Sequence, residues 1–208
     1  MLLYIVRHGD PIYVTDTLTE RGKLQAEAVG KRLAMAKIDR IFTSPMGRAR
    51  ETAEPLCRLL GKEYTVEEWT HEIEDERLTP FPDGKLKSVS VVQNTYFRQN
   101  GNIHLDYDHA GECDGFSTSG MVEKTKFIEE KVALFCHGAF GRAWISTLLH
   151  IPLHMMWASF EYTHTGVTVL RFENNANGVT APRCLCYSDI SHLYMAGMDT
   201  FYNNVTEI

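Results

Sequence analysis

The sequence contains no hydrophobic run of the roughly 20 residues that a transmembrane helix needs, and no cluster of lysine or arginine suited to a nucleic-acid backbone. Its 21 basic and 27 acidic residues give a net charge of -6. The N-terminus also lacks the basic stretch and cleavage site of a secretion signal. We therefore expect a cytoplasmic protein that binds neither nucleic acid nor a membrane.

Cysteine is scarce, and its five positions are scattered and odd in number. This pattern argues against a disulfide framework and suits a reducing compartment. Cys184 and Cys186 alternate as in a strand, and because no second pair lies nearby we interpret them as part of a core strand. No histidine shows metal-ligand spacing with a cysteine or carboxylate, so we predict no metal and no other cofactor.

Buried-looking strands alternate with helical patterns along much of the chain. Short apolar runs predict strands over residues 3–6, 41–43 and 132–136, and period-3.6 patterns predict helices after each of them. Thr19 is placed to cap the first helix, and Pro55 should kink the second. Two more strands, 167–172 and 179–187, are joined through Asn177-Gly178, a hairpin signal.

This alternation predicts an α/β fold. We expect a three-layer sandwich with a mostly parallel central sheet, helices on both faces and an antiparallel edge. Residues 67–120 break the rhythm and are interpreted as an inserted segment, with a helix near 88–98, that roofs the site. The prediction is one domain over 1–208 with a lid-like insertion at about 67–120.

Two of the predicted strands end on a histidine followed by a glycine, His8-Gly9 and His137-Gly138. Ligands of parallel sheets bind beyond the carboxyl ends of the strands, so both histidines should face one crevice. Arg7 and Arg48 are placed to reach the same crevice. Several cationic groups buried together need an anion, and the arginine fork matches a phosphoryl group.

The segments "RHG", "LTERG", "SPMGRARETA" and "CHGAFGR" together resemble the histidine phosphatase superfamily, in its phosphoglycerate mutase-like branch. The resemblance implies that His8 is the nucleophile that forms a phosphohistidine. It implies further that Arg7, Arg48 and His137 bind the phosphoryl oxygens. Gly9 and Gly138 are expected to line the phosphate site.

The resemblance also implies a carboxylate that serves as general acid and base. The acidic stretch "EWTHEIEDE" offers four candidates, and by its "W-x-x-E-I" shape Glu72 fits best. The other three are Glu74, Asp75 and Glu76.

Several positions depart from the family pattern. Val14 stands where many relatives have an asparagine that contacts phosphate, so that contact is either missing here or supplied by Thr15 or by backbone. His164, just before a predicted strand, is a candidate for a supporting position near the site.

The predicted function is that of a metal-independent phosphomonoesterase of the histidine acid phosphatase type, acting on a small phosphorylated substrate. Two alternatives stay open: a phosphoglycerate-type mutase, and a module that binds a phosphorylated ligand without turnover. The substrate itself is not predicted. The segment 155–157, Met-Met-Trp, is core or an interface patch and allows a homodimer.

Overall fold

A computed structural model describes residues 1–73, 130–172 and 182–198 of the chain. The described residues form two compact units. The first contains 1–72, 130–141, 162–172 and 182–198, and the second contains 73 and 142–161. Most of the predicted insertion at 67–120, with its helix near 88–98, lies outside the described residues, so the single-domain organisation stays a prediction. Within the described ranges, no helix is both long and apolar enough to cross a membrane.

The first unit is built on a six-stranded sheet. Its strands are β1 (Leu2–Arg7), β4 (Arg40–Thr43), β5 (Tyr64–Val66), β6 (Lys131–Cys136), β7 (Val167–Arg171) and β8 (Arg183–Asp189). Their order is β5-β4-β6-β1-β7-β8. The first four strands in this order are parallel, whereas β7 pairs antiparallel with both of its neighbours, β1 and β8. The predicted α/β class, with a mostly parallel sheet and an antiparallel edge, is confirmed.

Two shorter strands, β2 (Pro11–Ile12) and β3 (Thr17–Leu18), form a separate antiparallel ribbon. The helices are α1 (Glu20–Ala36), α2 (Gly47–Leu60), α3 (Gly138–Leu148), α4 (Leu153–Ser159) and α5 (Ser191–Met195), with a 3-10 turn at Glu68–Thr70. The predicted cap of α1 is confirmed, because the Thr19 hydroxyl accepts a hydrogen bond from the Gly22 amide at 2.9 Å. The helix α2 continues past Pro55 to Leu60.

A hydrophobic core of the first unit lies where α1 and α2 pack against the sheet. Most of its members lie on the predicted strands and helical faces, and Ile38 comes from the loop before β4. The buried members are Val6, Val29, Leu33, Ile38, Ile41, Ala53, Leu56, Ala133, Phe135, Val167 and Val169. Burial of this surface fixes both helices relative to the parallel strands.

The interpretation of Cys184 and Cys186 as core residues is wrong in one respect. Both lie on a strand, β8, as predicted, but β8 is at the edge of the sheet. Cys184 is therefore exposed, and Leu185 between them is 51% exposed. The turn expected at residues 177–178 lies outside the described residues.

The second unit contains the end of α3 and all of α4. Met156 is fully buried there, whereas Met155 is half-exposed. The guanidinium of Arg142 lies 3.8 Å from the centre of the Trp157 ring. The segment 155–157 thus has one core position, and the predicted homodimer stays a prediction.

The start of α1 and the loop after β1 are in close backbone contact at Gly22 and Gly9. A side-chain carbon at Gly22 would lie 2.2 Å from the Asp10 carbonyl oxygen, and one at Gly9 would lie 2.7 Å from the Gly22 carbonyl oxygen. Neither neighbour is a flexible side chain. Both positions therefore need glycine for the two backbones to meet.

Replacing Gly22 with alanine should separate these backbones. We expect Gly22→Ala to lower the free energy of unfolding by about 2–3 kcal/mol, as overpacking of a rigid contact does. Urea unfolding measures this, with Lys23→Ala on the same helix as the control, since the exposed Lys23 ammonium pairs with a second exposed side chain, that of Glu20. Equal stability of the two variants would contradict the contact.

Candidate active site

The candidate site lies at the carboxyl ends of β1 and β6, which are adjacent and parallel. Their register pairs Arg7 with Cys136, so the next residues, His8 and His137, leave the sheet side by side. The His8 amide donates to the Cys136 carbonyl at 2.9 Å, and the two imidazole centres are 5.3 Å apart. The predicted proximity of the two histidines is confirmed.

His8 is held in the form that a nucleophile needs. Its Nδ1 lies 2.7 Å from the Gly9 carbonyl oxygen, which can only accept, so Nδ1 carries the proton. This leaves Nε2 with a free lone pair. Burial, followed by the charges of His137, Arg7 and His164, holds the pKa of His8 well below its usual value. The ring is therefore neutral near pH 7.

His137 is buried and faces the same space. Its Nε2 forms a hydrogen bond with the Ser44 hydroxyl at 2.6 Å, while Nδ1 is buried without a partner in the described structure. Burial and the charges of Arg48, His71 and Arg7 lower its pKa well below the usual value. A neutral His137 can donate only one ring proton, and a phosphoryl oxygen would satisfy it.

Arg7 reaches the site from the end of β1. One Nη donates to the Tyr162 carbonyl, and Nε is buried without a partner among the described residues. A side-chain carbon at Gly138 would lie 3.1 Å from this Nε. The absence of a side chain at Gly138 thus gives the guanidinium its place beside the start of α3.

Arg48 lies in the first turn of α2 and is only 4% exposed. Its Nη1 is paired with the carboxylate of Asp16, whose second oxygen accepts from the Gly47 amide. The residue before the helix, Met46, offers no side-chain cap, so Asp16 caps α2 from the β2–β3 ribbon. The Arg48 Nε is buried without a partner in the described part of the chain.

Glu72 occupies the start of α3. Its carboxylate oxygens accept from the amides of Ala139, at 3.3 Å, and Phe140, at 2.9 Å. A carboxylate is favoured at a helix N-terminus because the helix dipole is positive there. The structure thus brings Glu72 to the loop that carries His137. The other candidates, Glu74, Asp75 and Glu76, lie outside the described residues.

Two of the predicted contacts have other partners in the structure. The Gly9 amide donates to the Thr52 hydroxyl at 3.0 Å, and the need for glycine there comes from Gly22. The exposed Thr15 hydroxyl lies 2.7 Å from that of Thr17. The roles of Gly9 and Thr15 toward phosphate stay predictions.

Asp16 and Ser44 were missed by the sequence reasoning. Asp16 has a left-handed backbone (φ 52°) two residues beyond Val14, and no motif marks it. Ser44 follows β4 directly, and its place beside His137 depends on the pairing of β4 with β6. Only that pairing could have predicted Ser44, because the serine is otherwise part of an ordinary turn.

Several buried hydrogen-bond donors of the site have no acceptor in the part of the chain that the structure describes. Nε of Arg7, Nε of Arg48 and Nδ1 of His137 all lack partners within residues 1–73, 130–172 and 182–198. Buried polar atoms of this kind are normally satisfied, so their convergence favours a bound anion. The same ranges contain no group of three or more histidines, cysteines or carboxylates placed to hold a metal.

The Asp16 carboxylate should stabilise the protein by compensating Arg48. Asp16→Ala removes both hydrogen bonds, and we expect it to lower the free energy of unfolding by about 1–2 kcal/mol, discounted for the partial exposure of Asp16. Asp16→Asn, which keeps an acceptor for the Gly47 amide, should lose less. Thermal unfolding with and without sulfate measures this: sulfate should restore more stability to Asp16→Ala than to wild type, and an equal effect would contradict the compensation.

The chain is similar in sequence to known phosphatases and phosphoglycerate mutases. Residues 3–79 match the family model of the histidine phosphatase superfamily (branch 1). The chain is 25% identical to a probable phosphoglycerate mutase GpmB of Citrobacter koseri, covering 95% of this chain and 97% of that protein. It is 27% identical to the mitochondrial serine/threonine-protein phosphatase Pgam5 of Drosophila persimilis, over 84% of this chain but only 60% of that protein.

A solved structure shows the same fold. Phosphoserine phosphatase from Entamoeba histolytica, crystallised with 3-phosphoglyceric acid, matches with a TM-score of 0.63 at 21% identity. The match covers 92% of this chain and 98% of that one. The chain is thus similar to the histidine phosphatase superfamily: its first third matches the family model, and its fold is that of a phosphoserine phosphatase.

Proposed function

We propose that the protein hydrolyses phosphate monoesters through a covalent phosphohistidine on His8. The observation that carries the proposal is the neutral, buried His8 ring, whose Nε2 keeps its lone pair. It lies beside guanidinium and imidazole nitrogens that have no partner among the described residues. The relatives are phosphatases and phosphoglycerate mutases, which supports an enzyme that acts on phosphate esters.

In the first step, His8 Nε2 attacks phosphorus and the bond from phosphorus to the ester oxygen breaks. Because Nδ1 is fixed as the donor to Gly9, the attacking nitrogen needs no prior loss of a proton. Arg7, Arg48 and the Nδ1–H of His137 bind the phosphoryl oxygens and the charge that develops on them. Positioning of the substrate and electrostatic stabilisation of the transition state account for most of the rate acceleration in phosphoryl transfer.

Glu72 is proposed as the proton donor and acceptor. In its protonated form it gives its proton to the departing ester oxygen, which leaves as an alcohol. Ionised Glu72 then takes a proton from the water that attacks phosphorus, the bond from phosphorus to His8 Nε2 breaks, and inorganic phosphate leaves. This role is supported by the position of the Glu72 carboxylate. It binds the amides of Ala139 and Phe140, which directly follow His137 and Gly138 in the chain.

The substrate is proposed to be a small phosphorylated molecule, and the chemistry is proposed to need no metal. A mutase is the second candidate, because the mutase relative matches along nearly its whole length. It would keep the phosphohistidine and return the phosphoryl group to a second hydroxyl instead of water. A module that binds without turnover is the third possibility.

The test is hydrolysis of p-nitrophenyl phosphate in the presence of EDTA. We expect turnover by the wild type and a loss of at least about a thousandfold in kcat for His8→Ala, as for removal of a nucleophile. Glu72→Gln should lose about 100-fold or more in kcat, since its amide oxygen can still accept one of the two backbone bonds but the side chain cannot carry the proton. His150→Gln, an exposed histidine, is the matched control.

No turnover by the wild type on any phosphate ester of a screen, or full turnover by His8→Ala, would overturn the proposal. Interconversion of 2- and 3-phosphoglycerate with a bisphosphate primer, without net release of phosphate, would favour the mutase.

A further inference from the structure

A third histidine lies in the same site. His164 is 6% exposed, and its ring centre is 5.4 Å from that of His8, with the planes inclined by 35°. Its position is fixed by the backbone, because the next amide, that of Thr165, donates to the carbonyls of Arg7 at 3.0 Å and His8 at 3.2 Å. No step of the proposed reaction uses this ring so far.

The two nitrogens of His164 have different surroundings. Nδ1 lies 3.7 Å from a carboxylate oxygen of Asp10, whereas Nε2 is buried and has no partner in the described structure. Asp10 is itself fixed: its other carboxylate oxygen accepts from the Thr19 hydroxyl at 2.7 Å, and its amide donates to Gln25 at 2.8 Å. A carboxylate so held favours the proton on Nδ1 and leaves Nε2 as a bare acceptor.

Among the described residues, the charged and titratable groups that face His164 are Arg7 at the end of β1, Arg21 from α1, and both His8 and Asp10 from the loop between these elements. Burial, then the charges of Arg7 and Arg21, lowers the pKa of His164 to about 3. The ring is therefore neutral in the unliganded site. A dianion bound next to His8 would add negative charge and so favour the protonated ring.

We propose that His164, oriented by Asp10, takes up a proton on Nε2 when a phosphoryl group binds and donates it in a hydrogen bond to a phosphoryl oxygen. The proton comes from solvent when a dianionic ester binds, or from the ester itself when a monoanion binds. No bond to phosphorus forms at His164. The ring lies beside His8, whereas the leaving oxygen departs on the opposite side of phosphorus, so His164 binds the transferred group and not the leaving group.

This inference rests on the proposed function only in that a phosphoryl group binds beside His8. Anion binding, which needs no turnover, therefore tests it. Sulfate is a suitable probe, because it is a tetrahedral dianion that carries no proton of its own near neutral pH. Any proton taken up on sulfate binding therefore belongs to the protein.

The experiment is calorimetric titration of sulfate at several pH values, in pairs of buffers with different ionisation enthalpies, so that affinity and protons taken up are both measured. The wild type should bind more weakly as pH rises, because the bound state holds more protons than the free state. His164→Gln keeps an amide donor but cannot take up a proton. It should bind sulfate about tenfold more weakly near pH 5.5, with a shallower pH dependence and fewer protons taken up.

His150→Gln should behave as the wild type, and Arg48→Met should lose sulfate binding, which confirms that the titrated site is the one described. Asp10→Asn provides a second test if His164→Gln does not fold, because the Asp10 side chain is 30% exposed and the amide can still accept from Thr19. It should shift the decline in affinity to lower pH, since the protonated ring loses its anionic neighbour.

Sulfate binding by His164→Gln with wild-type affinity, pH dependence and proton count would overturn the inference, as would an unchanged pH dependence in Asp10→Asn. Failure of the proposed function would look different: no ester would be hydrolysed, while the proton-linked binding of sulfate would persist.

Discussion

The site depends on one electrostatic constraint. It buries positively charged side chains and hydrogen-bond donors that the carboxylates around them satisfy only in part. Two guanidinium groups and three imidazoles meet at the ends of β1 and β6, and burial keeps the imidazoles neutral. Three carboxylates, from separate segments, limit the cost: Asp16 pairs with Arg48, Asp10 faces His164, and Glu72 binds the start of α3. In the part of the chain that the structure describes, buried nitrogens of Arg7, Arg48, His137 and His164 have no hydrogen-bond partner, which favours a bound anion.

The fold supplies this arrangement through backbone contacts more than through side chains. The in-register pairing of β1 with β6 sets the two histidines side by side, and the contact of Gly9 with Gly22 brings the start of α1 to the same loop. The starts of α2 and α3 each receive a carboxylate from elsewhere in the chain. Since a helix start attracts anions, both helices contribute to the same electrostatic preference as the arginines.

Much of this could be predicted from local sequence. His8 and His137 end apolar strands, and the parallel-sheet rule alone places them together. The cap of α1 by Thr19 could also be predicted, because it depends only on neighbouring residues in the sequence. The contact of Asp16 with Arg48 and the proximity of His164 to Asp10 could not be predicted. They depend on the tertiary positions of the β2–β3 ribbon and of the segment before β7. Cys184 was misplaced in the core for a related reason: alternation predicts a strand but does not say whether that strand is central or at an edge.

The phosphohistidine that we propose on His8 can be measured directly. The measurement is mass spectrometry of the enzyme quenched in alkali during turnover of a phosphate ester, since a phosphohistidine survives alkali and is lost in acid. We expect one added phosphoryl group, mapped to His8, that accumulates further in Glu72→Gln if hydrolysis of the intermediate slows more than its formation. Turnover with no phosphoryl group on His8, or with the group on another residue, would contradict it.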